Sequence, residues 1–158
     1  MNLPQRLISA YKRTTWVIDR QVDGLSHADS LLQPPFRANC MNWVLGHILD
    51  GRNRALAKLG LPTVLDESVM AQYASESEPL DGETAVPLPD LLAALTETQA
   101  RIIAALEPMS ETDTAVVTNP ERGTTLGDYL EFNHWHETYH VGQLELLRQL
   151  AGTDDKVI

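Results

Sequence analysis

The chain has 158 residues, 12 basic against 22 acidic side chains for a net charge of −10, and one cysteine, Cys40. That length suits one ordinary domain spanning 1–158; no apolar run is long enough to cross a bilayer and no basic-then-apolar leader opens the chain, so the expectation is a soluble, cytoplasmic protein. The acidic field repels phosphate backbones and anionic lipid, which argues against nucleic acid and membrane as partners, and a lone cysteine rules out an internal disulfide or a thiolate cluster.

The first helix is predicted from about Leu3 to Leu25. Leu3, Leu7, Ile8, Tyr11, Trp16, Ile18 and Val22 recur at a three-to-four spacing, and Pro4 is tolerated in the first turn. Gln33-Pro34-Pro35-Phe36 then forces an extended connection, with His27 before it making local hydrogen bonds at the surface. A second helix runs from about Cys40 to Gly60. Its first half, Met41 to Leu49, is almost wholly apolar and embeds His47. A buried imidazole needs a hydrogen-bond partner, an ion or a wet cavity; alone, His47 reads as a satisfied core histidine.

Residues 61–87 are proline-bearing and acidic, with a brief apolar patch at Val69, Met70 and Tyr73. So long a connection is usually a crossover or a lid, here with a short helical turn near Asp66 to Tyr73. A third helix opens at Pro89-Asp90 and runs to about Glu107, with Leu91, Leu92, Leu95, Ile102, Ile103 and Leu106 on its stripe. The run 110–123 is a connection with an extended piece at Ala115-Val116-Val117 and turns at Asn119-Pro120 and Arg122-Gly123. Thr124 or Thr125 with Asp128 reads as a capping box that starts a fourth helix, running to about Ala151. Its inward stripe is Leu126, Tyr129, Leu130, Asn133, His136, His140, Leu144 and Leu147. The expectation is an all-α four-helix bundle with a long crossover between the second and third helices.

Three of the five histidines lie in His134-Trp135-His136-Glu137-Thr138-Tyr139-His140. Residues four apart share a helix face, with Cβ atoms roughly 6 Å apart, so His136 and His140 can address one ion. His134 points elsewhere and reads as a surface histidine. With His47 from the second helix the pair makes a three-nitrogen site with an open position, the form of a catalytic zinc centre. The same residues spell H-E-x-x-H, which in metalloproteases makes the glutamate a general base. That reading ranks second, because only eighteen residues follow His140 and no strand to hold a peptide is evident. Glu137 is equally readable as an exposed helix residue.

Trp43-Val44-Leu45-Gly46-His47-Ile48-Leu49, with His136-x-x-x-His140-Val141-Gly142-Gln143-Leu144, resembles the DinB-like (DinB/YfiT-like) superfamily of metalloenzymes over essentially the whole chain. The resemblance implies an up-down-down-up bundle, a divalent metal, zinc or nickel, on His47, His136 and His140, and a homodimer. It implies in some members thiol-dependent S-transfer or isomerisation of small electrophiles, with a low-molecular-weight thiol activated by the metal. Within the matching motif, Gly142 permits close helix approach and Gln143 bonds a neighbouring segment, while loop 61–87, Trp135 and Tyr139 shape the substrate pocket. The alternatives are an HExxH hydrolase and a non-enzymatic, metal-binding dimeric bundle.

Overall fold

A computed structural model describes residues 1–153 and 155–157. Ten elements follow one another: α1 (Leu3–Val22), α2 (His27–Ser30), α3 (Met41–Lys58), α4 (Glu67–Met70) with a 3-10 turn at Ala71–Tyr73, α5 (Leu88–Leu106), α6 (Glu111–Thr114), β1 (Val117–Asn119), β2 (Thr124–Thr125) and α7 (Leu126–Leu150). The protein is predominantly helical. The two strands pair antiparallel in a small hairpin, closed with Gly123 at φ +63°, a left-handed conformation that suits glycine.

The local chemistry accounts for the helix starts. Asn2 caps α1 by accepting from the Gln5 N–H, and Thr125 with Asp128 forms the capping box of α7. Pro87, which precedes α5, offers no side-chain cap, and His27 substitutes for one: its Nδ1 accepts from the Leu88 N–H at 3.2 Å. His27 is thus half-buried and bonded 61 positions along the chain, rather than a surface residue with local partners.

Four long helices carry the core, with α1 packed on α7 and α5, and α3 packed on the same two. Buried apolar residues form two groups, one around Ile18, Leu45, Leu49, Leu91 and Leu144, the other around Leu7, Leu56, Ile102 and Leu130. Between them lies a layer of buried polar residues: Thr14 and Thr15 of α1, Arg52 of α3, Thr98 of α5, and Asn133 and Glu137 of α7. Trp16, expected on the inward stripe, is 49 % exposed, with the Arg20 guanidinium over its ring. The expected extended piece at 115–117 begins two residues later, at Val117. No helix among the described residues is long and apolar enough to cross a membrane.

Candidate metal centre

His47 sits where the long connection docks on α3. Gly46 makes that docking possible: a Cβ there would stand 2.1 Å from the Tyr73 ring. Tyr73 is fully buried, its hydroxyl donating to Asn42 Oδ1 (3.0 Å) and accepting from the Val86 N–H (2.8 Å). With the ring so fixed, the Tyr73 carbonyl lies 2.7 Å from His47 Nδ1. A carbonyl only accepts, so Nδ1 carries the proton and Nε2 presents its lone pair. Trp43 stacks on one face of the imidazole, centroids 4.7 Å apart at 10°, and donates its indole N–H to Ser77 Oγ at 2.9 Å. The connection 61–87 is therefore the back wall of this histidine, held by hydrogen bonds from both ends.

His136 and His140 project from one face of α7 toward His47. The three rings are mutually near-perpendicular, at 74°, 77° and 84°, with centroids 4.5–5.2 Å apart. One ligand nitrogen from each lies within 4.8 Å of the others. His140 Nδ1 donates to Gln143 Oε1 at 2.9 Å, which again leaves Nε2 free. His140 Nε2 and His136 Nε2 are 3.2 Å apart, close to the ~3.3 Å edge of a tetrahedron with nitrogens at about 2.0–2.1 Å from a central ion. Burial pulls the His140 pKa down to about 4, and burial followed by the neighbouring His47 lowers that of His136. Both rings are neutral near pH 7, the form that ligates metal. The donor set therefore fits a divalent cation: nitrogen ligands, two of them with their protons fixed on the far side by outer hydrogen bonds.

Glu137 takes no part in this cluster. It is 3 % exposed and turns off the histidine face of α7 into the layer of buried polar residues, where its two oxygens meet Arg52 Nη2 at 2.6 Å and Nε at 3.0 Å and it accepts from Thr14 Oγ1. Arg52 completes its donor set on Thr15 Oγ1 and the Leu95 carbonyl, both at 2.8 Å. Burial alone would lower the Arg52 pKa, but the adjacent Glu137 carboxylate reverses this and holds it above the usual value. Glu137 is neither an exposed helix residue nor a base facing the histidines.

Other expectations change in detail. His134 is half-buried edge-on to Tyr11, centroids 4.9 Å apart, rather than at the surface. Gly142 makes no close approach, since a Cβ there would meet nothing within 4 Å. Gln143 bonds His140 on its own helix, not a neighbouring segment. No motif singles out Arg52, and Tyr73 reads in the sequence only as part of an apolar patch, although an arginine five positions beyond His47 in an apolar helix signals a buried anionic partner.

No curated protein matches the chain. Among solved structures, it is similar to a conserved protein from Enterococcus faecalis, at TM-score 0.76 and 16 % identity over 97 % of this chain and 99 % of that one, a likeness of fold. The model of the DinB superfamily matches residues 10–144, a span that holds all three clustered histidines, the whole of α3 and α7 as far as Leu144. By that match, the chain belongs to the DinB superfamily.

Proposed function

We propose that the protein is a divalent-metal-dependent enzyme in which His47, His136 and His140 hold the ion, zinc or nickel, and that it transfers or isomerises small electrophiles with a low-molecular-weight thiol. The observation that carries this reading is the arrangement of the histidines: three imidazoles from two helices converge, and His47 and His140 have their outer nitrogens engaged by Tyr73 and Gln143. A cation held by three protein nitrogens keeps a position open and lowers the pKa of a thiol or water that occupies it. Membership of a superfamily that includes metal-binding proteins supports the same reading.

The fold belongs with it as a single-domain, up-down-down-up four-helix bundle. In support, partners ascend together along α1 and α7 (Arg6 with Glu131, Tyr11 with Asn133, Thr14 with Glu137, Gln21 with Arg148). They run oppositely along α3 and α7, where Gly51 meets Asn133 and His47 meets His140. We take the working form to be a cytoplasmic homodimer with no nucleic-acid or lipid partner, in keeping with a net charge of −10.

Metal analysis of tag-free protein tests the reading, with an X-ray fluorescence scan to identify the element. About one divalent ion per chain is expected, lost in the His140→Ala variant. A screen of thiols against electrophiles should then find turnover that chelator abolishes. Protein that binds no ion, or binds one but turns over no thiol with any electrophile, removes the enzymatic reading, and light scattering decides the oligomeric state.

A further inference from the structure

The clustered histidines stand between two cavities of opposite character. His47 and His136 face one of about 280 Å³, bordered by Asp50, Arg54, Ser75 and Asn133. His140 forms part of the wall of the other, about 530 Å³, between residues 34–39 and the C-terminal half of α7. That volume is inside the roughly 300–1,000 Å³ range of small-molecule sites. Pro34, Phe36, Trp43, Leu146 and Leu150 supply its surface, and among the described residues no charged side chain borders it.

We propose that this second cavity binds the alkyl or aryl group of an uncharged substrate and delivers the attached reactive head to the histidine cluster. The identity of the head rests on the metal-enzyme reading above; the apolar subsite stands on its own geometry. Phe36 and Leu146 are 65 % and 64 % exposed, large apolar side chains left in water at the mouth of a concave site, and a small apolar group covers both. His140 borders the cavity, and its Nδ1 is already committed to Gln143. Trp43 is fixed by its bond to Ser77 and its stack on His47, so one wall is rigid before a ligand arrives. The Asp50 and Arg54 side of the cluster suits polar groups, which fixes the orientation: the apolar end lies on the His140 side.

Two homologous series read the subsite separately from the metal. Straight-chain hydroxamates, from acetohydroxamate to octanohydroxamate, are titrated calorimetrically into zinc-supplemented full-length protein, and 1-alkanols from ethanol to octanol into chelator-treated protein. Both dissociation constants are expected to fall about fourfold per added methylene until the cavity is filled, from ~0.8 kcal/mol for each buried CH₂. The gradient should flatten in Leu146→Asp and, independently, in Phe36→Asp, and persist in Val116→Asp, a substitution on the exposed hairpin side. If the hydroxamates fail to bind but the alkanol gradient and its loss in both variants remain, the metal reading fails and the subsite stands. A flat alkanol series, or gradients that survive both variants, would each overturn the proposal.

Discussion

Arg52 and Glu137 form a bidentate ion pair at 2.6 and 3.0 Å in the centre of the protein, 0 % and 3 % exposed. Through Thr14, Thr15 and the Leu95 carbonyl the pair ties together α1, α3, α5 and α7. A charge so buried is tolerable only while its partner is present. Glu137→Gln is therefore expected to lower the free energy of unfolding by about 3–5 kcal/mol, measured in urea, because it leaves the Arg52 cation uncompensated. Metal per folded chain should stay at the wild-type level, since both Glu137 oxygens are committed to Arg52 and Thr14 and neither meets the histidines. Pairing Arg52→Met with Glu137→Leu should restore most of the loss. If Glu137→Gln kept full stability and lost only turnover, the hydrolase reading of H-E-x-x-H would return.

Gly46 and Gly142 lie in the two motifs that flank the histidines, yet they predict opposite outcomes. A Cβ at Gly46 would collide with Tyr73 at 2.1 Å, and that ring is anchored at its hydroxyl by Asn42 and Val86. Gly46→Ala should cost about 1–3 kcal/mol of stability through overpacking. It should also weaken metal binding about tenfold or more, as the Tyr73 carbonyl leaves His47. Gly142→Ala meets open space inside a helix and should stabilise by up to about 1 kcal/mol with unchanged metal affinity. Chemical denaturation and chelator competition on both variants check the contrast.

Much of this architecture is legible in the sequence because helical periodicity is a local signal. The four long helices, the Thr125–Asp128 capping box and the short turn near Tyr73 appear where spacing and capping chemistry place them. The convergence of His47 with His136 and His140 is also readable, since buried imidazoles demand partners. Long-range hydrogen bonds are not readable this way. Nothing near Tyr73 announces that its carbonyl orients His47, 26 positions away, and nothing near Glu137 announces Arg52, 85 positions away. The H-E-x-x-H spacing shows which faces of α7 its residues occupy; it does not show which neighbour each face meets.

Gln143 fixes the proton of His140 on Nδ1, which frees Nε2 to ligate. Gln143→Leu should therefore weaken zinc about 10- to 100-fold, the usual cost of losing an outer hydrogen bond to a metal-bound histidine, with little change in thermal stability. Gln143→Glu supplies a charged acceptor and should restore affinity to at least the wild-type level. Competition against a zinc indicator measures both, and equal affinities in the leucine and glutamate variants would remove the positioning role.

Asp29, Asp113 and Asp128 repeat one device: each carboxylate accepts from the hydroxyl and the backbone N–H of the residue three positions earlier. Those bonds from Ser26, Ser110 and Thr125 favour the ionised form and hold all three pKa values below the usual 3.8. A folded-state pKa below the unfolded one means that the unfolded chain takes up protons first as acid is added. The stabilisation is thus complete above about pH 4, and it is lost as pH falls from 3.8 through the lower folded values. Replacing all three aspartates by asparagine should lower the melting temperature at pH 7 and make it fall less steeply below pH 4. The melts belong on chelator-treated protein, where loss of metal from the histidines adds nothing to the slope. Parallel curves for the variant and the parent below pH 4 would show that the capping carboxylates do not govern acid unfolding.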